Sequence, residues 1–91
     1  MQFDVQFDPA KNQANIAKHG VSLERAPEMD IRAVLVDERH DYGEVRYRAL
    51  GFIDGVAHCL VFTDRQGELR AISLRRAHQK EMKRYVSQAN G

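Results

Sequence analysis

The residues of this chain that could do chemistry are mostly cations. Arg65 follows the apolar run "VAHCLVFT", Arg75 and Arg76 close "ELRAISLRR", and Arg46 and Arg48 stand two apart in "VRYRALG". A guanidinium keeps its charge and donates hydrogen bonds in pairs, which suits it to phosphate. Cleaving RNA without a metal takes three groups. A base accepts the 2′-hydroxyl proton, cations offset the charge building on phosphorus, and an acid protonates the leaving 5′-oxygen. Histidine and lysine can move the protons, and arginine can hold the charge. All three types are present. Scattered arginines on a small domain can equally be solvated surface charges.

Other chemistries find less support. His19, His40, His58 and His78 are scattered, and Cys59 adjoins His58 in an expected strand. Neighbours in a strand point to opposite faces, so the pair cannot easily share a metal. No metal and no cofactor is expected, because there is no zinc-type spacing, no glycine-rich phosphate loop and no nucleophile elbow. As the one cysteine, Cys59 allows no disulfide within the chain and reads as a core residue. His19 precedes Gly20, where a helix end favours a cation. His78 falls in the first turn of an expected helix, which disfavours its charge.

The positioning elements read as follows. "MQFDVQF" alternates, with Phe3, Val5 and Phe7 on one face of a strand. Asp8-Pro9 starts a helix that stops at Gly20, with Ala10, Ala14 and Ile16–Ala17 as a narrow apolar stripe. Ser22 caps a second helix, which Pro27 should shorten or kink. "RAVLVD" is extended and "ERHDYGE" is a loop. Three strands follow, joined by turns at Asp54-Gly55 and "DRQG". From Arg76 to about Ala89, a helix buries Ala77, Met82, Tyr85, Val86 and Ala89; Tyr85 reads as an anchor of that face. The order β-α-α-β-β-β-β-α predicts one α+β domain over 1–91, with two N-terminal helices on a mainly antiparallel twisted sheet. The other sheet face is expected to stay at least partly open.

In the fifth strand, alternation puts Ile72 and Leu74 toward the core, and Leu69, Ala71, Ser73 and Arg75 on the open face. Arg75 then lies beside the strand bearing Arg46 or Arg48. Its alternative role is an ion pair with Glu44 or Glu81. Across the last hairpin, Arg65 and Arg70 fall at one end, and Arg75 falls at the other, near His58.

Charge is uneven. Residues 1–45 carry five cations against nine anions, and residues 46–91 carry nine against four. Such asymmetry suits an anionic partner for one face, nucleic acid being the commonest. The N-terminus has acids where a signal peptide needs bases. No apolar stretch approaches the roughly 20 residues that span a bilayer. A cytoplasmic protein with no membrane contact is expected.

"FDPAKNQANIAKHGVSLERA" resembles the N-terminal signature of the BrnT toxins, and "DERHDYGEVRYRALG", "VFTDRQGELRAISLRRA", Glu81 and Tyr85 match later blocks in the same order. The resemblance covers nearly the whole chain. Phe7 stands where the family commonly has tryptophan. The resemblance implies a RelE-like fold and an RNA-cleaving toxin of a type II toxin–antitoxin system that arrests growth. It also implies a cognate ribbon-helix-helix antitoxin (BrnA-like); a homodimer within the toxin–antitoxin complex is a further expectation. By position it carries function onto Lys11, Lys18, His19, Arg46, Arg65, Arg75 and Arg76. Arg65 and Arg75 become the phosphate-binding catalytic groups, with His19 or Lys11 for proton transfer. Lys18, Arg46, Arg48 and Arg76 become RNA contacts. The alternative is a non-catalytic module of the same fold that binds RNA or antitoxin.

Overall fold

Asp8 and Pro9 start the first helix as their chemistry dictates. The Asp8 carboxylate accepts from the Ala10 N–H at 2.9 Å, and Pro9 fills the first helical position. Helix α1, Pro9–His19, ends at Gly20, whose φ of 74° is open to glycine at little cost. The computed structural model describes residues 4–39 and 41–90, with the backbone alone at 89 and 90. Phe3, His40, the Ala89 side chain and Gly91 lie outside the described residues.

After Gly20 the Ser22 hydroxyl caps a turn of six residues, Leu23–Glu28. This is a 3-10 helix, not the second α-helix expected. Pro27 sits inside it and has no N–H to extend an α-helical ladder. Its Leu23 and Ala26 are fully buried.

The strands are β1 (Val5–Gln6), β2 (Asp30–Val36), β3 (Tyr47–Ile53), β4 (Val56–Arg65) and β5 (Glu68–Arg76). They form one sheet in the order β1-β5-β4-β3-β2. β2 to β5 run as an antiparallel meander, and β1 joins β5 in parallel through Val5 and Gln6. The two tight turns hold Asp54-Gly55 and Gln66-Gly67, all four residues at positive φ, as two-residue hairpins require. Helix α2 runs Gln79–Asn90, because β5 continues through Arg76, the position where the helix was expected to begin.

Both faces of the sheet carry a core. On one, Leu23, Ala26 and Met29 pack on Ala49, Ile53, Leu60, Ala71 and Leu74, with Val5 and Phe7 alongside. On the other, Met82, Tyr85 and Val86 of α2 pack over Ala33, Leu50 and Cys59. The face expected to stay partly open is therefore roofed by α2 across β2, β3 and β4.

Two further expectations fail for identifiable reasons. Val61 pairs with Ser73 while Phe62 pairs with Ala71, so Ile72 is an extra residue in β5. This bulge interrupts strict alternation. Ala71 and Leu74 share the first core, and Ile72 is only half-buried. On α1, Ala10, Ala14, Ile16 and Ala17 stay exposed, and the buried residue is Asn15.

Candidate active site

Asn15 explains how α1 docks. Among the described residues, β1 covers β5 at Leu69 and Arg70, and no strand pairs the outer edge of β5 further along. There the Leu74 N–H donates to Asn15 Oδ1 at 3.1 Å, and Asn15 Nδ2 donates to the Leu74 carbonyl at 2.8 Å. The same amide donates to the Val21 carbonyl at 2.9 Å. A side chain thus completes the sheet edge as a neighbouring strand would, because buried backbone groups must be paired.

This docking brings Lys11, Lys18 and His19 to the β5 edge. They line a shallow depression of about 240 Å³ with Ile72 and Ser73. His19 also borders a cleft of about 340 Å³ that it shares with Arg25, His58 and Arg76. Burial, then the charges of Lys18 and Arg75, lower the His19 pKa from its usual value. The ring is therefore held neutral.

The β4–β5 register sets Arg76 opposite His58 and Arg75 opposite Cys59. Because the strand runs through both arginines, they point to opposite faces. Arg76 joins the His19 cleft, and Arg75 points to the α2 side. There Arg75 donates to both oxygens of Glu81, at 3.0 and 2.9 Å, and to the Arg76 carbonyl at 3.1 Å. Of the two ion-pair partners considered for it, Glu81 is the one it meets. The Arg75 hydrogen bonds lower the Glu81 pKa against the opposing effect of burial, so the carboxylate stays ionised.

Arg48 lies deeper on the same side, 9% exposed. Its guanidinium carbon is 4.7 Å from the centre of the Tyr85 ring, and its Nη2 donates to the Tyr85 hydroxyl at 3.3 Å. Among the described residues, its Nε and that of Arg46 are buried without a hydrogen-bond partner. A buried cation with an unmade hydrogen bond is costly unless an anion completes it. Arg75 does not lie beside the strand that bears Arg48, since β4 intervenes. Sequence reasoning considered Glu81 only as an alternative partner of Arg75 and gave Tyr85 only a packing role. The available signal was their spacing: four residues apart, they share a helix face.

Arg65 and Arg46 stand elsewhere. Arg65 pairs across the turn with Glu68, seven positions along β5 from Arg75, or about 23 Å at the usual strand rise. It makes an ion pair with Glu44 at 3.3 Å. Arg46 stacks on Tyr42, 4.1 Å from the ring centre, with Glu44 4.0 Å away. The fold therefore gathers Lys11, Lys18, His19, Arg75 and Arg76 around one sheet edge, with Arg48 beneath α2, and leaves Arg65 and Arg46 apart.

The remaining groups add little chemistry. Cys59 is fully buried, and burial raises its pKa, which keeps the thiol protonated. His58 Nδ1 is 2.8 Å from the Val56 carbonyl. Among the described residues, no group of three or more histidine, cysteine or acidic side chains could hold a metal ion. No helix among them is long and apolar enough to cross a membrane.

A family model described as "Ribonuclease toxin, BrnT, of type II toxin-antitoxin system" matches residues 7–81. Searches of curated proteins and of solved structures return no match.

Proposed function

Because the chain belongs to the BrnT family of ribonuclease toxins of type II toxin–antitoxin systems, we propose that it cuts RNA at the β5 edge, by metal-independent attack of a 2′-hydroxyl on the adjacent phosphate. The observation that carries this reading is the cluster at the β5 edge: Lys11, Lys18 and His19 share one depression, Arg76 lines the adjoining cleft, and the Arg75–Glu81 pair lies beside them.

Each residue then has a task. Arg75, aimed by Glu81, donates in pairs to the phosphate and offsets the charge that builds on it. Arg48 completes the seat. His19, neutral at pH 7 and within the field of Arg75, takes the 2′-hydroxyl proton. Lys11 is the runner-up for that step. The Tyr85 hydroxyl accepts from Arg48 and can pass its own proton to the leaving 5′-oxygen. Lys18 and Arg76 hold the flanking backbone by charge. Arg65 and Arg46 are left to outer contacts with a longer RNA.

Type II membership implies an RNA substrate and a cognate antitoxin. Our reading adds that the antitoxin is of the ribbon-helix-helix, BrnA-like kind, that two toxins meet in the complex, and that the activity is cytoplasmic. The catalytic reading is tested by incubating purified chain with RNA in excess chelator. Fragments ending in 2′,3′-cyclic phosphate are expected. Activity that vanishes and returns with magnesium, or fragments bearing 5′-phosphates, would overturn the mechanism.

A further inference from the structure

The cleft at the end of α1, on the 3-10 helix side of the sheet, holds a group that the cleavage steps do not use. Its volume of about 340 Å³ lies at the low end of small-molecule sites, about 300–1,000 Å³, and suits one flat ring system. Val21, Ile53 and Val56 give it apolar walls. His58 lines it too and is 5% exposed. Its Nδ1 faces the Val56 carbonyl at 2.8 Å, and a carbonyl can only accept, so Nδ1 carries the hydrogen. In the neutral ring Nε2 is then an acceptor. Among the described residues, Nε2 has no hydrogen-bond partner.

The register sets Arg76 directly opposite His58, so the two side chains share this face. Arg25, the other arginine of the cleft, is paired with Glu28 and Asp54. Among the described residues, the Arg76 guanidinium has no carboxylate partner. The cleft thus sets an unused acceptor beside an unused fork of donors, between apolar walls. A nucleobase edge is the complement: an N–H next to a carbonyl or ring nitrogen, on a flat body that packs against apolar side chains. His19 borders both this cleft and the depression with Lys11 and Lys18. A base seated in the cleft brings its own ribose and phosphate to His19.

We infer that this cleft seats one base of the RNA strand, beside the cut, and that His58 reads it. His58 Nε2 accepts from a base N–H. Arg76, with donors to spare for the flanking backbone, donates to the acceptor next to it. Val21 and Val56 flank the ring. A base with the wrong edge leaves a buried nitrogen unpaired, and that mismatch is what selects. The chain therefore has a base preference at one position next to the cleaved bond. The inference rests on the proposed cleavage at the β5 edge, since His19 joins the two recesses.

The test titrates the purified chain with the four ribonucleoside 3′-monophosphates, followed by NMR, beside cleavage of RNA oligonucleotides that differ at one position. The tightest nucleotide should bind at least about tenfold better than the weakest. His58→Phe keeps a ring and loses the nitrogen, and should bring all four within about threefold of one another. Val56→Phe, at a residue 41% exposed, narrows the cleft without touching the core and should do the same. It carries the test if His58→Phe fails to fold. Equal binding of all four by the parent, or a preference that survives in either folded variant, would overturn the inference. Binding is read without cleavage, so the two readings fail separately. A base preference with intact RNA would sink the cleavage reading alone, and cleavage with no base preference would sink this one alone.

Discussion

The two edges of this sheet solve the same problem in opposite ways. At β5, Asn15 pairs with the exposed backbone and draws in the cations of α1. At β2, among the described residues, no element caps the edge, and Ile31, Val34 and Val36 beside it stay exposed. The sequence halves differ in charge, five cations to nine anions against nine to four, and folding mixes them: Lys11 and Lys18 of the acidic half lie at the β5 edge, and Arg25 and Arg65 pair with Asp54 and Glu44 across the halves. What differs is that the β5 edge is rich in cations, while the β2 edge has no paired strand among the described residues.

The contrast breaks most visibly at His19. His19→Ala should slow cleavage about 10²–10⁴-fold, the usual contribution of a positioned base. The parent's activity should fall on the acid side only below the ordinary histidine pKa, because the lowered value keeps the base neutral further down. That acid limb should vanish in the variant. An unchanged pH profile would move the proton transfer to another group.

Arg48→Met tests the buried cation. Cleavage should drop about 10²–10³-fold, as when a group stabilising the transition-state charge is lost. Thermal or denaturant unfolding should show stability unchanged or raised by about 1–3 kcal/mol, since an apolar side chain replaces a buried charge. A strong loss of stability would make Arg48 structural.

Asn15→Ala tests the edge itself. It leaves three buried or half-buried backbone groups short of a partner and should cost about 2–3 kcal/mol in denaturant unfolding. The smallest effect is expected at Lys18, which is exposed. Lys18→Gln should lower the salt slope of RNA binding by about one while leaving cleavage at saturation near the parent's.

How far the sequence revealed this follows from which interactions are local. Asp8, Pro9 and Gly20 announce α1 because caps are read within a few residues. The hairpin at Asp54-Gly55 is legible for the same reason. The bulge at Ile72 is not, since it depends on how β4 and β5 register. The burial of Asn15 is hidden too. An asparagine amid exposed alanines looks like a surface residue until a strand edge 59 positions away needs its amide. The cationic residues were nameable, but not their grouping. That Arg65 and Arg75 fall at opposite ends of the last hairpin was legible, and the register bears it out; that Lys11, Lys18 and His19 join Arg75 and Arg76 was not. The choice of Glu81 over Glu44 for Arg75, and the Tyr85 contact with Arg48, became clear only when α2 was seen to roof the second face.

The position of the catalytic arginine decides whether RNA is cut at the β5 edge. Single-turnover RNA cleavage by Arg75→Ala and Arg65→Ala should be measured side by side, with circular dichroism confirming that both fold. Arg75→Ala should lose about 10²–10³-fold, and Arg75→Lys should recover only part of that, because a point charge cannot reproduce a two-pronged donor. Arg65→Ala, which loses an exposed pair with Glu44, should stay within a few-fold of the parent. Full activity in Arg75→Ala, or an equal collapse in Arg65→Ala, would contradict a catalytic site at the β5 edge.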